Sequence, residues 1–175
     1  MHQLWAPWRA ELIDQKSAPG CIFCLFPAET GAEADRRNLI VARTERSFAI
    51  LNRYPYNNGH LMVVPRRHTA DFASLSPEES ADLHALLQRS TQVLNRAYRP
   101  EGMNLGMNLG KSAGAGIADH LHWHVVPRWL GDTNFMPVLA DTKVMIEHLL
   151  ATLDKLEPLF RSCVDSRLRL PSSPL

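Results

Sequence analysis

The segment His120-Leu121-His122-Trp123-His124 sets three of the chain's eight histidines at alternate positions. On an extended strand, residues two apart share a face and stand roughly 6.7 Å apart. The three imidazoles therefore form a row, while Leu121, Trp123 and Val125 turn to the core. Buried imidazoles need hydrogen-bond partners, so a purely structural row of them competes poorly. Two chemistries use such a row: a metal held by three histidines, or a phosphate attacked by one neutral imidazole while the others hold or protonate its oxygens. Zinc–nitrogen bonds of about 2.0 to 2.1 Å keep ligand atoms close together, whereas the outer two histidines of a straight strand start about 13 Å apart. Phosphate chemistry suits the spacing better.

A second pair, Cys21-Ile22-Phe23-Cys24, has the spacing of half a zinc site. Three cysteines in all are too few and too close for a disulfide framework, and Cys163 reads as a buried or tail thiol. Two ordinary buried cysteines are the competing reading of Cys21 and Cys24. Gly106-Met107-Asn108-Leu109-Gly110-Lys111-Ser112 superficially imitates a phosphate-binding P-loop, but it has three residues between its glycines where that motif has four, and it leads to a strand. His2, His84 and His148 read as solvated or locally bonded side chains.

The elements that must position these groups follow from pattern and punctuation. Asn38 to Arg43 and Ser47 to Asn52 read as a hairpin about Thr44-Glu45-Arg46. The turn-rich Arg53-Tyr54-Pro55-Tyr56-Asn57-Asn58-Gly59 leads to a third strand, His60 to Val64, stopped by Pro65. Ser76-Pro77-Glu78-Glu79 is a helix start with a capping box, and Leu83, Leu86, Leu87, Val93 and Leu94 carry that helix to about Tyr98. Gly102 to Leu109 alternates as a strand with Asn104, Gly106 and Asn108 on one face. Such poor strand formers imply that this face has a job. The small-residue loop Gly110 to Gly116 precedes a strand from His120 to Val126, ended by Pro127. Asp141 caps a last helix to about Glu157, with Pro158 after it and a poorly ordered tail to Leu175. The order of elements gives an α+β domain with helices on an antiparallel sheet.

At 175 residues and 45% apolar the chain suits one domain: an irregular N-terminal arm over 1–37, a catalytic core over 38–140, and a C-terminal helix and tail over 141–175. Nineteen basic against 18 acidic residues argue against a general nucleic-acid binder. No secretory leader pattern or membrane-length apolar run is present, so a cytoplasmic location without membrane association is expected.

His120-Leu121-His122-Trp123-His124-Val125-Val126 resembles the signature of the histidine-triad (HIT) superfamily, and the resemblance covers roughly residues 21 to 137. It extends to Asn52 and His60 at the family's spacing and to Asn108. The stretches Trp5-Ala6-Pro7-Trp8-Arg9, Asn52 to Val64 and Pro127 to Phe135 are most similar to the bacterial diadenosine tetraphosphate phosphorylase branch. The resemblance implies a HIT-like fold with one long central helix and a C-terminal helix. It implies two displacements at an α-phosphate, with His122 forming a covalent nucleotidyl-histidine that phosphate or water then resolves. By the same resemblance His124 stabilises phosphate oxygens, His60 orients His122, and Asn52 contacts the ribose. Asn108 and the backbone at Gly114 and Gly116 assist at the phosphate, and Trp129 borders the nucleotide site. Ile40, Phe48 and Ile50 are candidates for the base pocket. Some relatives carry a Ser or Thr where Gly116 and Ile117 stand, so backbone donors serve here instead.

In relatives with a cysteine pair, two histidines complete a structural zinc site. The matching residues are His68 and His120, so Cys21, Cys24, His68 and His120 are the expected ligands. No organic cofactor is implied. Adenine nucleotides or dinucleoside polyphosphates are the implied substrates and a homodimer the implied assembly. Competing readings are a nucleoside phosphoramidase or general hydrolase using water, and a nucleotide-binding interaction protein with incidental catalysis.

Overall fold

The computed structural model describes residues 20–132 and 147–165. Two short helices, α1 (Ile22–Ala28) and α2 (Ala32–Asn38), precede strands β1 (Ile40–Arg43), β2 (Ser47–Leu51) and β3 (Leu61–Pro65). Then come α3 (Pro77–Tyr98), β4 (Gly102–Met107), β5 (Trp123–Arg128) and α4 (Leu149–Asp165). The strands form one antiparallel sheet in the order β1-β2-β3-β5-β4. Helix α3 packs on β2, β3 and β5, and α4 packs on α3 and β1. This is the α+β architecture expected from the order of elements.

The capping box forms as its spacing requires: the Ser76 hydroxyl accepts from the Glu79 N–H at 3.2 Å, and the Glu79 carboxylate accepts from the Ser76 N–H at 2.8 Å. Leu83, Leu86, Leu87, Val93 and Leu94 are all buried, and Ser90 fills the gap in that stripe by donating to the Leu86 carbonyl at 2.8 Å. Against them lie Leu51, Leu61 and Val63 from the sheet and Leu153, Leu156 and Phe160 from α4. Among the described residues no helix is long and apolar enough to cross a membrane.

Four expectations are corrected. The stretch read as an irregular arm contains α1 and α2; residues 1–19 lie outside the described residues. The strand expected from His120 to Val126 instead spans Trp123 to Arg128. Its start is late because β3 ends at Pro65, which has no N–H to offer, and whose carbonyl is taken by the His120 ring at 2.8 Å. Pro127 does not stop it. The Arg128 carbonyl accepts from Glu101 on the β4 side, so the backbone of Pro127 faces the other way, where β3 has already ended and Asn57 Nδ2 donates to its carbonyl at 3.1 Å. No ladder bond is lost.

The last helix runs through Pro158 to Asp165, past the expected end at Glu157, while Asp141 and residues 166–175 lie outside the described residues. Pro158 is exposed, so the Asp154 carbonyl that it leaves without a helical donor faces water. Strand β4 ends at Met107, short of Leu109.

Candidate active site

His122 is buried just ahead of β5, and its Nδ1 lies 2.9 Å from the His120 carbonyl oxygen. A carbonyl only accepts, so Nδ1–H donates and Nε2 keeps its lone pair. The ring lines a cleft of about 300 Å³ whose apolar wall includes Ile22, Phe26, Leu39, Ile50 and Ile117. Burial pushes the imidazole below its ordinary range, against the opposing effect of the His120 carbonyl. A neutral imidazole with an uncommitted Nε2 lone pair results.

His60 is set by the turn before it. Gly59 has φ +75°, and a Cβ there would meet the Tyr98 ring at 2.9 Å, so the position requires glycine. The buried His60 ring accepts the Tyr56 N–H on Nδ1 at 3.0 Å, which leaves the proton on Nε2 to be donated to Nδ1 of His124 at 2.9 Å. His124 then carries its own proton on Nε2. Burial, reinforced by neighbouring His122, pushes His124 down to about 4, so it acts as a neutral donor. His60 is expected to orient His122; the ring hydrogen bond that the structure gives it is with His124. Register is the reason. Met62 pairs with His124, and His60 shares the face of Met62 two residues away, which makes His60 and His124 diagonal neighbours.

Asn52 lines the cleft, with its side-chain oxygen accepting the Tyr54 N–H at 2.9 Å and its amide nitrogen 3.5 Å from Nδ1 of His60. Gly114 and Gly116 also line it. Asn108 lies instead in a second hollow of about 310 Å³, with Asn104, Gly106 and Arg128. His124 and Tyr56 border both. Of the three residues considered for the base pocket, Ile50 lines the cleft, while Ile40 and Phe48 belong to the core. Trp129 lines neither hollow and packs edge-on to Tyr98 at 6.4 Å.

Sequence reasoning missed Phe23 and Tyr56. Tyr56 stacks 4.7 Å from His60 and 5.8 Å from His124. Its position in a Tyr-Pro-Tyr loop, three residues past Arg53, is the one available signal. Phe23 announces itself only by standing between the two cysteines.

His120 turns away from the cleft. With its Nε2–H donated to Pro65, Nδ1 keeps a lone pair directed at Cys21 Sγ (3.3 Å), Cys24 Sγ (3.6 Å) and His68 Nδ1 (3.2 Å). Cys24 Sγ lies 3.3 Å from His68 Nδ1, and all four donor atoms fall within 4.8 Å of one another. A tetrahedral zinc with bonds of about 2.0 to 2.3 Å separates its donors by roughly 3.3 to 3.8 Å. The two-sulfur, two-nitrogen set therefore fits a closed metal shell. Burial and the nearby Cys21 push the Cys24 thiol up, an effect that a bound cation reverses.

Residues 33–129 match the HIT domain. The chain belongs to the HIT family. It is 42% identical to the AP-4-A phosphorylase of Mycobacterium tuberculosis over 85% of this chain and 79% of that protein. It is 32% identical to an adenosine 5'-monophosphoramidase of Schizosaccharomyces pombe over 62% of this chain and 74% of that one. Its fold matches a zinc-bound histidine triad family protein from Mycobacterium smegmatis with TM-score 0.65 at 25% identity, covering 84% of this chain and 97% of the other. These curated relatives are HIT-family enzymes, and so is this chain.

Proposed function

We propose that the protein cleaves adenine dinucleotides at an α-phosphate through a covalent nucleotidyl-His122, with diadenosine tetraphosphate as substrate and inorganic phosphate as acceptor. The observation that carries this reading is the fixed tautomer of His122, whose Nδ1–H is spent on the His120 carbonyl so that Nε2 is free to attack. The lone pair of Nε2 forms the bond to phosphorus as the bond to the bridging oxygen breaks, and adenosine triphosphate leaves. A phosphate leaving group has a second pKa of about 6 and needs no proton at pH 7. That suits His124, a neutral donor of Nε2–H to the phosphoryl oxygens. Phosphate oxygen then attacks the adenylyl group, adenosine diphosphate forms, and His122 is restored. The 42% identity to an AP-4-A phosphorylase supports phosphate as acceptor.

Cys21, Cys24, His68 and His120 would hold zinc. A closed four-ligand shell supplies no catalytic step and pins α1 to the sheet. Assembly as a homodimer is part of the same reading: β4 pairs only with β5 among the described residues, and its Leu105 is exposed.

Product analysis tests the reading. With diadenosine tetraphosphate and phosphate, adenosine diphosphate and triphosphate are expected in equal amounts. Adenosine monophosphate in place of the diphosphate would give water as acceptor, and no turnover would give a binding protein. His122→Ala should abolish turnover and leave the melting transition in place; near-normal turnover would remove the nucleophile assignment.

A further inference from the structure

Helix α1 faces the cysteine–histidine cluster and the cleft at once. Cys21 and Cys24 bracket Ile22 and Phe23, and Ile22, Phe23 and Phe26 line the cleft. Phe23 is fully buried, and its ring lies 5.4 Å from that of His120 in the cluster and 5.1 Å from that of His122 in the cleft. One aromatic ring therefore touches both centres. The helix that carries it has seven residues, one of them Pro27, and no side-chain cap at its start. Such a segment does not hold helical form alone, so its position depends on packing and on what gathers Cys21 and Cys24.

We propose that metal in the cluster and nucleotide in the cleft bind cooperatively, with Phe23 as the positioning residue that couples them. Gathering Cys21, Cys24, His68 and His120 around one ion fixes the first turn of α1, which seats Phe23 against His122 and sets the apolar wall. A nucleotide resting on that wall opposes withdrawal of α1 and so opposes loss of the ion. Linkage makes the two effects equal: the factor by which the ion raises nucleotide affinity is the factor by which nucleotide raises ion affinity. The inference rests on the reading of the cleft as a nucleotide site.

The test uses the full, zinc-loaded chain in competition with a chromogenic chelator, with and without saturating adenosine monophosphate, whose binding is followed separately by calorimetry. Nucleotide should raise zinc affinity by about fivefold or more. In Phe23→Leu, which keeps an apolar filler but loses the ring, the factor should fall towards one. Leu25→Ala, on the exposed side of the same helix, should keep the full factor. Zinc removal without nucleotide should speed amide exchange in Ile22–Ala28 and leave β2 and β3 protected. Calorimetric binding with unchanged zinc affinity overturns the coupling and leaves the proposed function standing; no nucleotide binding overturns both. A full factor in Phe23→Leu, or exchange in α1 that ignores zinc, overturns the part given to Phe23 and its helix.

Discussion

Nε2 of His60 lies 2.9 Å from Nδ1 of His124, and a backbone N–H on the far side of His60 fixes which of the two donates. The relay Tyr56 N–H to His60 to His124 delivers a proton-bearing nitrogen to the cleft without any side-chain charge. It is the counterpart of the His120 carbonyl behind His122, which delivers a lone pair.

Replacing His60 by Phe keeps an aromatic ring in the site and removes the relay. The expected result is a fall in kcat of roughly 10²-fold, the usual effect of losing one oriented donor at a developing charge, with KM little changed. Steady-state kinetics on a dinucleoside polyphosphate measure it. An unchanged kcat would mean that His124 needs no partner.

The depressed pKa of His124 has a stability consequence with a definite sign. Its ordinary value is 6.5 and the folded value about 4, so between these the unfolded chain binds more protons and stability falls as pH drops. Above about 6.5 the contribution is full and flat. The groups facing His124 are His60, His122 and Tyr56. Urea midpoints of the wild type and His124→Asn should run parallel above pH 7 and converge from about 6.5 down to 4 as the wild type loses ground. Parallel curves throughout that window would contradict the shift.

About one zinc per chain is expected in gently purified protein. Cys24→Ser should lose the metal and lower the melting temperature, because the remaining three ligands cannot close the shell. Elemental analysis of both proteins decides, and a wild type well under one zinc per chain would remove the metal.

Gly59→Ala should destabilise the fold by about 1 to 3 kcal/mol. The substitution imposes both a positive φ and a Cβ 2.9 Å from the Tyr98 ring. Because the next residue is His60, kcat should fall as well. Chemical denaturation together with kinetics reads both effects.

What could be read from the sequence was whatever depends on local spacing. The Ser76–Glu79 capping box, the buried stripe of α3 and the alternation at His120, His122 and His124 all arise from neighbours in the chain. The cysteine pair and His68 lie 44 residues apart or more, and family resemblance supplied that link. What was missed depends on partners. Whether Pro127 ends a strand turns on whether β3 still runs beside it, and whether Pro158 ends a helix turns on which side meets water. The partner of His60 follows from the Met62–His124 register, which no single segment encodes. Helix α1 has too few residues to signal itself, and Phe23 with it.

His124 borders both hollows, one mostly apolar and the other carrying Asn104, Asn108 and Arg128. Under the proposed function, a substrate spanning them would keep its tethered half against Ile22, Phe26 and Ile50 and release the rest past Asn104, Asn108 and Arg128, with the acceptor entering the same way. Departure and arrival through the same doorway mean two backside inversions at one phosphorus. A centre labelled with oxygen isotopes would emerge with its original handedness.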